Sequence, residues 1–323
     1  MPSTVYLSTV QQYLTRYGMT TYIILGNIGL LLNIAIFIWP AYRRNPCSIY
    51  ILAASFCGLI GLNISAVPVV YALDNTNPVT ASLFFCQFQF YSRHSFNQMM
   101  RTYFIFACID RYAISSNNVR IRSFSQYRTT IYIIICIPIF WLLLSIFPVM
   151  LRSLENGKCQ GKPGSPSIIL SVYISIVVGV VPLISMIIFG ILMLKNLKNI
   201  RARVQPTGIS SVIKYGLHKR DRDMMRMLLI ETMCYITTTA PLSISLIYQA
   251  ASQTVTKGND QQRIESFITY FTGTFLIYFN NSLSFWIYIV VSRSFRLELK
   301  NLFLKCYELI AGKKIQINTL STT

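Results

Sequence analysis

The chain has 323 residues, of which 53% are hydrophobic and only 12% charged, about half the charged share of a soluble domain. A chain this apolar cannot cover itself with polar surface, so a bilayer must solvate much of it. The net charge of +19 would point a soluble protein toward nucleic acid. In a membrane protein the sidedness of the charges matters more than their sum, and no nucleic-acid partner is expected.

In chain order, the windows 17–42, 45–73, 129–151, 163–194, 232–256 and 266–292 contain no Asp, Glu, Lys or Arg. Each exceeds the roughly 20 residues that a helix needs to cross hydrocarbon. A further segment, about 83–112, is apolar and aromatic but interrupted by Arg93 and Arg101. Counting it as a span places twenty-one basic residues in the loops and tail of one side and six on the other. Such asymmetry marks the cytoplasmic side, which predicts an N-terminus outside and a C-terminus in the cytoplasm. The expectation is an all-α membrane protein: a seven-transmembrane helix bundle with a short amphipathic C-terminal surface helix. Residues 1–20 are expected as an extracellular N-terminus, 21–292 as the bundle, and 293–323 as the amphipathic helix and cytoplasmic tail. No cleavable signal peptide is visible, so the first span is expected to act as its own signal.

Of eight cysteines, only Cys86 and Cys159 fall on the outer side. In an oxidising compartment such a pair should be bridged, stapling the loop between spans four and five over the bundle mouth; the alternative is two free thiols. No zinc spacing, Walker loop or Gly-x-Ser-x-Gly elbow occurs, so no catalytic residue, metal or cofactor is expected.

Span three ends in Asp110-Arg111-Tyr112, 25 residues after Cys86, or about 37 Å along a helix. This motif, with the cysteine at that interval, resembles the rhodopsin-like (class A) G-protein-coupled receptors. Pro182 and Pro241 stand where that family has helix-kinking prolines in spans five and six. Asn45-Pro46-Cys47-Ser48-Ile49-Tyr50, Phe189-Gly190-Ile191-Leu192 and Asn281-Ser282-Leu283-Ser284-Phe285 look like invertebrate neuropeptide receptors of the FMRFamide type. Ser294-Phe295-Arg296-Leu297 resembles the start of the family's membrane-surface helix, with Cys306 near its end as a palmitoylation candidate. The resemblance implies a plasma-membrane receptor, not an enzyme. Its partners would be an extracellular peptide and a heterotrimeric G protein; Thr319, Ser321, Thr322 and Thr323 are candidates for phosphorylation by receptor kinases to recruit arrestin, the alternative being a frayed polar tail.

Several family landmarks are missing. Gly58 stands where an aspartate normally binds sodium. Leu30 replaces the span-one asparagine, with Asn27 and Asn33 as possible substitutes. Thr238-Thr239-Ala240 replaces the aromatic toggle before Pro241. The span-seven proline motif is absent, Phe285-Trp286-Ile287-Tyr288 being the nearest text, with Tyr288 as a switch candidate. The resemblance also implies an ionic lock from Arg111 to Asp221, twenty residues before Pro241; the alternative is that Asp221 only balances Lys219, Arg220 and Arg222.

Charges inside a membrane are costly and tend to mark function or internal pairing. Arg93, with His94 and Asn97 on a polar face that includes Gln87, Gln89 and Gln98, is expected to bind the ligand. A cation there favours a carboxylate, another anion or a carbonyl-rich peptide end; the alternative is Arg93 snorkelling to headgroups. Gln249 and Phe275 are further pocket candidates, with Tyr71 and Phe271. Arg101 and Glu231, both at mid-depth, are expected to pair as a switch or as a static bridge. Competing functions are a receptor for a non-peptide, anionic small ligand, and a seven-span transporter or channel. An opsin is excluded because 266–292 contains no lysine.

Overall fold

A computed structural model describes residues 2–39, 42, 45–116, 118–155, 157–203, 211–252 and 258–311. The helices that build it are α1 (Pro2–Tyr13), α2 (Thr20–Phe37), α3 (Pro46–Tyr71), α4 (Leu83–Ser115), α5 (Tyr127–Leu144), α6 (Ser165–Tyr173), α7 (Val181–Arg203), α8 (Ser211–Ala251), α9 (Asn259–Tyr270), α10 (Leu276–Val291) and α11 (Arg293–Ala311). Three π-helical segments join neighbours into continuous rods: Leu14–Met19 between α1 and α2, Ile174–Val180 between α6 and α7, and Phe271–Phe275 between α9 and α10. Short turns and one hairpin fill the connections.

Among the described residues six helices are long and apolar enough to cross a membrane. The seventh rod is α4, whose 33 residues give about 50 Å of helix, ample for a core of about 30 Å. Its interior arginines lower its hydropathy without breaking the helix. Local chemistry sets the starts. The side chain of Asn45 accepts from Cys47 N at 3.1 Å, with Pro46 in the first turn, and Ser82 accepts from Phe85 N at 3.3 Å. Both satisfy backbone donors that a helix start leaves open.

Two details go beyond the sequence expectation. Residues 2–19 are helical and run without a break into α2. The loop between α5 and α6 holds an antiparallel hairpin, β1 (Arg152–Glu155) with β2 (Lys158–Gly161), in which Glu155 faces Lys158. Gly157 turns it at φ 70°, a left-handed conformation that a glycine adopts without steric cost.

Apolar side chains point both ways. Ile24, Ile28 and Leu31 on α2, and Ile135, Ile139 and Leu143 on α5, are exposed, as surfaces solvated by lipid tails require. Inside, the core around α4 is sulfur-rich: Met99 and Met100 pack in one cluster with Met186, Met224, Met225 and Met227. α2 crosses α10 closely. A methyl added to Gly26 would sit 2.9 Å from Ser282 Cβ, and one added to Gly29 would sit 2.8 Å from Phe285 Cβ. Small residues let two helix backbones approach this closely.

Candidate functional site

At one end of the bundle Arg111, 1% exposed, is held by three elements. Its Nε donates to Asp110 Oδ2 at 2.9 Å, its Nη1 to Asp221 Oδ1 on α8 at 2.8 Å, and its Nη2 to Asn45 Oδ1 at 2.9 Å. Asp110 also accepts from Ser125 in the following loop. Asn45 thus caps α3 and contacts the arginine with one oxygen. Tyr112 is partly buried beside it. Asp223, two residues past Asp221, accepts from the backbone N (3.3 Å) and Oγ (2.8 Å) of Ser294, tying α8 to the first turn of α11.

Midway along the bundle the expected partners separate. Arg101 and Glu231 do not pair. Glu231 instead accepts from the hydroxyls of Ser284 and Tyr288 on α10. Tyr288 is fully buried against Phe37 and Phe295, so a carboxylate on α8 finds two donors on α10 before it reaches a cation on α4. Arg101 lies over the Tyr235 ring at 5.6 Å, and its Nε and Nη1 have no hydrogen-bond partner. The helix face that Glu231 takes, which depth in the bundle does not specify, decides the outcome.

Toward the other end, a cavity of ≈140 Å³ opens between α4, α8 and α10. Arg93, His94, Asn97, Gln98 and Arg101 of α4 line it, with Arg152 from β1 and Tyr278 from α10. The disulfide Cys86–Cys159, with Cα atoms 5.6 Å apart, holds the hairpin across the mouth. There Arg152 stacks on Phe90 at 4.0 Å while Arg93 approaches the same ring at 5.6 Å. Burial, and then the charge of Arg93, depress the Arg152 pKa. No Asp or Glu lines the cavity among the described residues. His94 contacts the Tyr173 hydroxyl at 3.1 Å and lies parallel to Phe90. Asn97 accepts from Asn281 at 3.0 Å, joining α4 to α10 beneath the opening.

Arg93, His94 and Asn97 therefore share one cavity, but Gln249 and Phe275 do not line it. Gln249 donates to Thr269, and Phe275 packs against Tyr22 and Phe271; Tyr71 is exposed. Arg152 and Tyr278 were missed. The signal available for Arg152 was an Asn-Gly turn beside Cys159, which folds that stretch back over the bundle. Pro241 lies inside α8, and Pro182 is the second residue of α7, two positions past the π segment Ile174–Val180. A methyl at Gly58 would meet Met100 Sδ at 2.9 Å, so a methionine fills the space beside the missing acid. Asn27 pairs with Asn63 at 2.6 and 3.1 Å, whereas Asn33 is buried with both side-chain polar atoms unpartnered. Cys306 is exposed on α11. Thr319, Ser321, Thr322 and Thr323 lie outside the described residues. Among the described residues, no cluster of His, Cys, Asp or Glu could hold a metal ion.

A comparison with curated proteins returns no match. Residues 29–288 match the family described as 7 transmembrane receptor (rhodopsin family). That stretch covers most of the chain and contains the disulfide, the cavity and the Arg111 cluster, so the protein is a multi-pass membrane receptor, not an enzyme, and belongs to the rhodopsin family.

Proposed function

We propose that this receptor sits in the plasma membrane with its N-terminus outside, binds a peptide in the cavity beneath the Cys86–Cys159 staple, and activates a heterotrimeric G protein at the Arg111 end. The observation that carries the reading is the Arg111–Asp221 pair at 2.8 Å. It fastens α4 to α8 at the end where the basic loops lie. A ligand that favours separation of α7 and α8 from Arg111 would break that pair and open a docking surface for the G protein. The two sites are thereby coupled through a single equilibrium. Arrestin and receptor kinases would act on the same face. The peptide preference draws on the resemblance of Asn45-Pro46-Cys47-Ser48-Ile49-Tyr50 and related stretches to FMRFamide-type receptors.

A second reading, a small anionic ligand, is favoured by the cavity itself: it is cationic, without an acid, and below the roughly 300–1,000 Å³ of a pocket that encloses a drug-sized molecule. The test is G-protein activation in cells expressing the receptor, screened with neuropeptides and organic acids beside Arg93→Ala. A peptide response that disappears in Arg93→Ala at unchanged surface expression supports the first reading. A response to acids alone replaces it with the second. Silence of the well-expressed receptor toward every ligand, with no basal activity, overturns G-protein coupling.

A further inference from the structure

We infer that Arg101, with Tyr278 and Gln98, forms a subsite at the cavity floor that takes a carboxylate, so that the ligand ends in a free acid and not in an amide. The inference rests on the cavity's being the ligand site and adds the chemistry of the group that reaches its floor.

Arg101 is 4% exposed, and two of its guanidinium nitrogens, Nε and Nη1, have no partner. The acid first expected to neutralise it, Glu231, is engaged by α10. The Tyr235 ring faces the guanidinium but accepts no N–H hydrogen bond from it. Tyr278, 1% exposed, has an unpartnered hydroxyl, and so does the side-chain oxygen of Gln98. All three residues line the same cavity. Buried polar groups are almost always satisfied, and a buried charge demands a counter-charge. Three unsatisfied groups around one cavity therefore mark the place of a missing partner.

The shape of that partner follows from the donors. A guanidinium has two forks, Nε with Nη2 and Nη1 with Nη2, each able to hold two carboxylate oxygens, and the unpartnered Nε and Nη1 of Arg101 belong one to each. The Tyr278 hydroxyl supplies a third donor, and a half-turn of the Gln98 amide presents Nε2 in place of its oxygen. Arg93 and Arg152 nearer the mouth add positive potential along the path inward. An amide end would leave the Arg101 charge uncompensated and set its own NH2 against a cation. This separates the expected ligand from the amidated peptides that the FMRFamide type denotes.

The test uses the full chain purified in detergent and follows thermal unfolding with 3-phenylpropionate, its amide, and the dipeptide Gly-Phe as free acid and as amide. Both acids are expected to raise the unfolding midpoint and both amides to leave it unchanged. Arg101→Gln should require roughly 10- to 100-fold more acid for the same shift, the loss expected of hydrogen bonds to a charged group. Arg93→Gln should retain the distinction between acid and amide. Arg101→Gln removes an uncompensated buried charge, so its midpoint without probe should equal or exceed that of the wild type. If that variant does not fold, Arg101→Lys and Tyr278→Phe carry the test, each weakening the acid shift. Whichever acid binds more tightly, the peptide or the small molecule, identifies the source, and both results support the subsite. Equal shifts by acid and amide, or an acid shift that survives Arg101→Gln, overturn it. Signalling is not read in this assay, so the subsite can fail while peptide-evoked G-protein activation stands, and the reverse.

Discussion

Replacing Asp221 by Asn should raise the receptor's ligand-independent activity. Arg111 is 1% and Asp221 27% exposed at the side chain, so the pair lies between the exposed bridges worth about 0.2–1 kcal/mol and the buried ones that cost about 3–5 kcal/mol to break. Asp110 and Asn45 keep their bonds to Arg111 in the variant, so the arginine is not left orphaned. What is lost is the contact that spans α4 and α8, about 1–2 kcal/mol. Charged to the resting state alone, that loss shifts the equilibrium toward the open form by about 5- to 30-fold. The assay is nucleotide exchange on purified G protein by receptor in lipid nanodiscs, at equal receptor amounts and without ligand. Arg111→Gln removes both the pair and the docking arginine and should fall to the receptor-free rate. If Asp221→Asn exchanges at the wild-type rate while Arg111→Gln is silent, the pair does not hold the resting state and the reasoning fails.

Tyr288→Phe removes one of the two hydroxyls bonded to Glu231 and should cost about 1.5–3 kcal/mol of stability, read as a lower thermal midpoint. Exchanging the charges, Arg101→Glu with Glu231→Arg, should give no rescue over the single variants, because the two residues do not touch; rescue would place them together after all. Asp223→Ala should free the start of α11, at a cost of about 1 kcal/mol by analogy with a lost helix cap. Hydrogen exchange of the amides at 293–303 should then accelerate, and unchanged protection there would show that Asp223 is dispensable.

Much of this architecture was legible because bilayers impose a coarse code. Charge-free windows gave six rods, and the sided distribution of Lys and Arg forced α4 to be the seventh despite Arg93 and Arg101. The disulfide was readable because only two cysteines fell on one side. Pair contacts inside the bundle were less legible, since a helix position fixes depth better than azimuth. Glu231 was placed at the right depth, yet rotation of α8 aims it at Ser284 and Tyr288. Phe275 and Gln249 were pocket candidates with packing as the alternative; the π segment Phe271–Phe275 shifts the helical phase around Phe275, and Gln249 is engaged by Thr269. Each π segment holds one glycine, Gly18, Gly179 and Gly273, but a lone glycine in an apolar helix does not announce a residue added to a turn. Arg152 was invisible as a cavity residue because its position depends on a hairpin folded back by a disulfide, a contact that no periodicity records.

The unbroken rod from Pro2 to Phe37 has a consequence for how a ligand arrives. At 1.5 Å per residue it is about 54 Å long, against about 30 Å of hydrocarbon, so some four turns stand clear of the bilayer. They stand at the disulfide end, where Thr15 meets the Tyr270 hydroxyl at 2.6 Å and Arg16 pairs with Asp74. This ridge packs against α9 and contributes none of the residues that line the cavity. A peptide long enough to lie along that ridge would hold its acidic end near Arg101 at a high effective concentration even after the end lets go, and would rebind before escaping. A small acid meets the same arginine with no such tether, so ligand length would govern residence time while the terminal carboxylate governs fit.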